Sequence, residues 1–200
     1  MDNYELLQKF GFCEMYEWAN VPEERLGLFV TFDRENPNKI VPFGETKDGK
    51  VLGVTSINSV IDSDNPGVWK YAYLCNEYGD PYLKKEKLAV GQKVYDQVIE
   101  FNYIQTRPWE HYIPIENKFF NKELKYIPRT SRVEWSRVTL MGKAIVKDNG
   151  NCVPGQYCSP YTGKLKMNFG MAVPTSESTA EEKYYVLDRI SKNTILILVK

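Results

Sequence analysis

Apolar runs in this chain are short, and Gly, Pro or Asn interrupts nearly every one of them. "RLGLFVTFD" (25–33) stops at "RENPNK" and resumes as "IVPFG", which reads as a strand, a turn and a second extended run. "DGKVLGVTSI" (48–57) opens on an Asp-Gly turn and runs into another strand, with Gly53 marking a bulge or a close approach. In "SDNPGVWKYAYLCNEYGDPY" the residues Trp69, Tyr71 and Tyr73 alternate onto one face before a "YGDP" turn, predicting a half-buried strand. "VEWSRVTLMGKAIVKDNG" carries Trp135 and an alternating run over 138–146 that ends at an Asn-Gly turn. The tail "KYYVLDRISKNTILILVK" predicts strands near 184–188 and 194–199. A chain punctuated this way folds as mainly β, with short antiparallel strands and a few short helices.

Three segments depart from the pattern. "YELLQKF" spaces Tyr4, Leu7 and Phe10 three apart, as in a short helical turn whose single apolar stripe needs a partner surface. Residues 83–101 show neither helical nor strand period, and Gly91 weakens any continuous helix there. "QTRPWEHYIPIENKFFNKELKYIPRTSR" combines three prolines with many aromatics, which predicts an extended, packed loop. No internal repeat is visible.

Two hundred residues fit one domain, alone or with appendages. Lys plus Arg equals Asp plus Glu at 26 each, so no global field gathers nucleic acid or an anionic membrane. The longest apolar run, "TILILV" (194–199), is far below the roughly 20 residues needed to span a bilayer. The start, "MDNYELLQKF", lacks a basic region followed by an apolar one, so the expectation is a soluble chain made in a cytosol.

Chemistry is sparse. Four cysteines stand at 13, 75, 152 and 158. Cys152 and Cys158, in "NCVPGQYC", are expected to brace a turn by packing, with a disulfide as the rival arrangement. No paired CxxC accompanies the single histidine, His111, so no metal site and no cofactor are expected. No "GxSxG" elbow supports a serine nucleophile. The aromatics, 14% of the chain, read more economically as core and subunit interface than as a ligand box.

One stretch stands out. "GFCEMYEWAN" (11–20) sets Glu14 and Glu17 among Phe12, Met15, Tyr16 and Trp18. A carboxylate among apolar neighbours is paired, neutralised or turned outward. In a helix the two would share a face, and in a strand they would point to opposite faces. Arg129, Arg132 and Glu134 in "PRTSRVEW" form either a buried ion-pair network at an interface or a charged turn, the turn being the more economical reading.

Several segments together resemble the peptidase G2 family, the C-terminal intramolecular chaperone domain of phage tailspike and pre-neck appendage proteins. They are "CEMYEW", "RLGLFVTFD", "VLGVTS", "YIPRTSRVEWSRVTLMGKAIVKDNG", a Cys followed by "GQYC", and "YYVLDRISKNTILILV", in the family's order over about residues 10–199. The resemblance implies a homotrimer at the end of a β-helical fibre or tailspike chain, found in the virion or, during assembly, in the host cytoplasm. It implies a leader, residues 1–10, and an autocleavage domain, residues 11–200. It also implies a self-cleaving endopeptidase of glutamic type, with Glu14 and Glu17 as its catalytic residues and a cut between Phe10 and Gly11. Gly11 stands where the family has Asp, so one proton-handling group is missing, and Gly11→Asp is expected to restore it. The alternative is a stand-alone structural virion or assembly protein with the same fold and no protease activity.

Overall fold

A computed structural model describes residues 11–46, 49–57, 59–64, 66–88, 93–96, 101–104 and 109–200. The expected helical turn over Tyr4 to Phe10 lies outside these residues. The chain divides into two compact units, one made of the residues up to Pro66 together with Ile127–Lys200, the other of Gly67–Tyr126.

The first unit is a single sheet system. Its strands are β1 (Phe12–Trp18), β2 (Phe29–Phe32), β3 (Lys39–Pro42), β4 (Gly53–Ser56), β5 (Ile61–Ser63), β10 (Trp135–Lys147), β11 (Tyr157–Pro160), β12 (Ala172–Pro174), β13 (Tyr184–Ser191) and β14 (Thr194–Val199). They are ordered β12-β11-β13-β14-β10-β4-β2-β3-β1-β5, and β1 also pairs with β10. That extra pairing closes β10, β4, β2, β3 and β1 into a ring of five strands. Most pairs are antiparallel, but β1 runs parallel to both β3 and β5.

β10 is long because it serves two layers. Its first part, up to Met141, pairs with β1 and β4; from Gly142 onward it pairs with β14. Gly142, at φ 102°, marks the change of partner, a backbone state that an L side chain resists. Two apolar clusters follow this division. Trp18, Val30, Ile40 and Val138 pack together within the ring, with Tyr16, Leu52 and Leu140 against them. Phe29, Val54, Val146, Val186, Ile195 and Ile197 belong to the larger cluster on the β14 side. "TILILV" alternates buried and half-buried positions, as expected of a strand with one face on that core.

The second unit contains β6 (Leu83–Leu88), β7 (Lys93–Asp96), β8 (Phe101–Ile104) and β9 (Trp109–Pro114), paired β6 with β9 and β7 with β8. Two sequence expectations are corrected here. Trp69, Tyr71 and Tyr73 form no strand: the segment is turns with two isolated bridges, Tyr73 to Glu116 and Cys75 to Pro81, and Tyr71 is 67% exposed. The stretch containing "RPWEHYIP", expected as loop, is in part strand β9, since β6 supplies the hydrogen-bonding partner that a local reading cannot see.

Candidate functional site

β1 carries the acidic stretch. Phe12, Tyr16 and Trp18 favour extended backbone, and β10 on one side with β3 and β5 on the other satisfy its hydrogen bonds. The Trp18 indole N–H donates to Ser136 Oγ at 2.9 Å, anchoring the strand's end in the ring. On the opposite face the buried Cys13 thiol lies 3.2 Å from Thr139 Oγ1 and 3.4 Å from Ser56 Oγ.

Strand alternation turns Glu14 and Glu17 to opposite faces, so they form no carboxylate pair. Glu14 shares its face with Tyr16, whose hydroxyl donates to Glu14 Oε2 at 2.7 Å. Burial, then this hydrogen bond and the charges of Glu14 and Asp64, push the Tyr16 phenol above its usual range. It therefore stays protonated and acts as a donor. Glu17 accepts from Lys39 Nζ at 2.7 Å, an ion pair with both side chains about a third exposed.

The strand begins at a position that glycine alone occupies readily. Gly11 has φ 71°. A Cβ there would lie 2.7 Å from the Met141 carbonyl oxygen and 2.7 Å from Thr139 Cγ2. The Gly11 carbonyl accepts from the Val60 N–H at 3.1 Å, after which Phe12, Cys13 and Glu14 run beside Ile61, Asp62 and Ser63 of β5. The register against β10 slips between Phe12 and Cys13. An added carboxylate at Gly11 thus meets a backbone oxygen before it can do chemistry, which removes the basis for expecting Gly11→Asp to restore the group. Phe10, on the other side of the expected cut, lies outside the described residues.

Two contributors escaped the sequence reading. Tyr16 could have been found from the i, i+2 spacing Glu-x-Tyr once a strand was assumed. Asp64 could not: it follows β5 with φ 53°, alone among the described non-glycine residues in having a positive φ. Arg129 Nη1 donates to both the Asp64 carbonyl and its Oδ2, each at 2.5 Å. The Arg129 guanidinium stacks 3.9 Å from the Trp135 ring centre, and Arg132 sits 5.2 Å from it. Arg132 lies 3.8 Å from Glu134, and in both ion pairs the carboxylate is exposed, so these residues form a charged turn with separate pairs rather than a buried network.

The remaining candidates are quiet. All four cysteines are free thiols, and Cys152 and Cys158 are buried in the larger core cluster. A hydrogen bond with Cys158, then burial, push the Cys152 thiol up, away from thiolate chemistry. Among the described residues, no cluster of three or more His, Cys, Asp or Glu side chains could hold a metal ion. A cavity of about 670 Å³ lined by Leu28, Lys147, Phe169 and Met171 takes no residue from β1.

Three comparisons bear on this arrangement. The family model described as peptidase G2, IMC autoproteolytic cleavage domain, matches residues 6–190. The fold is similar to that of pre-mature bacteriophage phi29 gene product 12, with TM-score 0.66 and 20% identity, covering 96% of this chain. It is also similar to the C-terminal fragment of that gene product, with TM-score 0.61 and 21% identity, covering 94% of this chain and 99% of the fragment. The chain spans 22% of the pre-mature protein's length. No curated protein matches.

Proposed function

This chain belongs to the peptidase G2, IMC autoproteolytic cleavage domain family, and from that premise we propose that it is the self-cleaving assembly domain of a phage tail appendage or fibre. In this reading three copies associate, bring their fibre chains into register, and are released by hydrolysis between Phe10 and Gly11. The leader is residues 1–10 and the intramolecular chaperone and autocleavage domain residues 11–200. Glu14 is the general base, and Tyr16, as donor to its Oε2, orients it. Glu17, engaged by Lys39, holds β1 to β3 and takes a supporting part. The virion, or the host cytoplasm during assembly, is where such a domain works.

The observation that carries this reading is the grip on the first residues after the expected cut. Val60 fixes the Gly11 carbonyl, and β5 and β10 hold the following residues from both sides. A segment paired on both edges keeps its new N-terminus in place after hydrolysis. Gly11 at positive φ, close against Gly142, fixes the backbone direction beside that bond.

Intact mass of the purified chain, measured beside its solution molecular weight, tests the proposal. The expected result is a product beginning at Gly11 in a particle of three chains. A whole chain that light scattering shows to be monomeric over a wide concentration range overturns it. A second reading, a structural virion or assembly protein without proteolysis, is favoured by two observations: Glu14 and Glu17 face apart, and Gly11 has no room for a carboxylate. An uncut trimer is its signature.

A further inference from the structure

Cys152 and Cys158 are buried free thiols that share the larger core cluster. A tight turn brings them together. The Gln156 N–H donates to the Val153 carbonyl at 3.1 Å, Gly155 sits at φ 83°, and the Gly155 N–H and the Gln156 carbonyl both bond the backbone of Val186 in β13. Cys158 then enters β11 opposite Tyr184. Cys152 is gripped on both sides of its own residue, since its N–H donates to Asp148 Oδ2 at 3.2 Å and its carbonyl accepts from Arg189. The two cysteine side chains are hydrogen-bonded to each other. A thiol pair fixed this way has two chemistries, metal binding and disulfide formation. Among the described residues no set of three or more His, Cys, Asp or Glu could hold a metal ion, so the pair lacks the ligands that the first requires. Disulfide formation needs only the two sulfurs, closing from hydrogen-bond range to a bond of about 2 Å.

We propose that Cys152 and Cys158 are a peroxide-sensitive dithiol, which closes to a disulfide when the protein leaves a reducing compartment. A cytosol keeps such thiols reduced, whereas a virion surface is oxidising. The oxidant is hydrogen peroxide, small enough to pass a turn whose Val153 and Tyr157 are 49% and 54% exposed. Cys158 reacts first, because the hydrogen bond with Cys158, then burial and the charges of Cys158 and Asp148, hold the proton on Cys152. The Cys158 thiolate attacks one peroxide oxygen, the O–O bond breaks, and hydroxide leaves, taking up the proton that Cys158 gave away to become water. Cys158 is then a sulfenic acid. Capping it removes the negative charge that held the Cys152 proton. The Cys152 sulfur attacks the Cys158 sulfur, the S–O bond breaks, and the hydroxyl departs with the Cys152 proton as a second water. Two thiols have lost two hydrogens, and one peroxide has become two waters. The new bond ties the turn to β11 beside the buried Asp148–Arg189 pair. Neither thiol takes part in the cleavage proposed above.

Mass and thiol counting test this. A Cys75→Ser chain, which lacks the exposed thiol, is purified reduced, treated with hydrogen peroxide, then unfolded in N-ethylmaleimide and weighed. The treated chain is expected to be about 2 Da lighter before labelling, and to carry label on Cys13 alone. A linked peptide spanning residues 152–158 is expected, and dithiothreitol should open it. Cys13, buried against Thr139 and Ser56, serves as the internal control. When Cys152→Ser is added and dimedone is present during oxidation, Cys158 is expected to stop at the sulfenic acid and take up the dimedone. Label on Cys13, Cys152 and Cys158 alike after peroxide treatment overturns the proposal, and so does a disulfide that joins Cys13 to either of the other two. A folded Cys152→Ser chain with no dimedone on Cys158 overturns it as well. Should that variant fail to fold, the mass and label count of the Cys75→Ser chain decide the matter alone.

Discussion

Tyr16 donates its hydroxyl to Glu14 Oε2 across 2.7 Å, two positions along one strand. That bond makes the two side chains a unit, and their variants should separate chemistry from folding. Glu14→Gln keeps the acceptor oxygen and removes the base, so it should leave the chain uncut with an unchanged circular dichroism spectrum. Tyr16→Phe keeps the ring that meets Phe32 at 5.7 Å but frees the carboxylate, and should slow cleavage by about tenfold or more. Cleavage at the wild-type rate in Glu14→Gln would remove Glu14 from the mechanism.

Gly142 faces Gly11 so closely that a Cβ on Gly142 would lie 2.8 Å from the Gly11 Cα. Gly142→Ala should therefore destabilise the fold by about 1–3 kcal/mol, from overpacking and from its positive φ. Denaturant titration measures it. Gly67→Ala, where nothing lies within 4 Å of an added Cβ, is the control and should be near neutral.

Asp148 is fully buried and accepts from Arg189 at 2.8 and 3.2 Å, while the same guanidinium also donates to the Cys152, Ser191 and Lys192 carbonyls. Arg189→Met strands a buried carboxylate and should cost about 3–5 kcal/mol. Adding Asp148→Asn should recover part of that loss, because the uncompensated charge is gone. A double variant less stable than Arg189→Met alone would contradict this account.

Burial, with the charges of Glu182 and Cys158, raises the Tyr184 phenol above its usual value. A raised folded pKa means the native state holds the proton more tightly than the unfolded chain does. The associated stability is intact below about pH 10 and is lost as pH rises from there through the folded value. Tyr184→Phe keeps the ring contact with Phe29, 4.8 Å between centres, and removes this titration. Its stability should fall less steeply above about pH 10, by up to about 1.4 kcal/mol per pH unit. Parallel slopes in the two proteins would show that another group governs alkaline unfolding.

Strand runs with their own alternation and turns were legible from the residues: β2, β4, β10, β13 and β14 fall where the pattern put them. Trp69, Tyr71 and Tyr73 alternate just as well, yet form no strand, because a strand also needs a neighbour to bond and this segment gains only isolated bridges. The acidic stretch was ambiguous for the same reason, since three-residue spacing means one face in a helix and two in a strand. Once β10 and β5 flank it, the ambiguity ends.

By itself, then, the sequence determined the class of fold, the family and the position of the acidic stretch, because periodicity, turn chemistry and motif strings are local properties written along the chain. Only tertiary structure decided the partners: Tyr16 for Glu14, Lys39 for Glu17, Arg129 for Asp64, and Gly142 for Gly11. Except for the Glu14–Tyr16 pair, these contacts join residues from different segments of the chain. They depend on how β1, β3, β5 and β10 are brought side by side, and strand pairing across such separations is set by the packing of the whole ring.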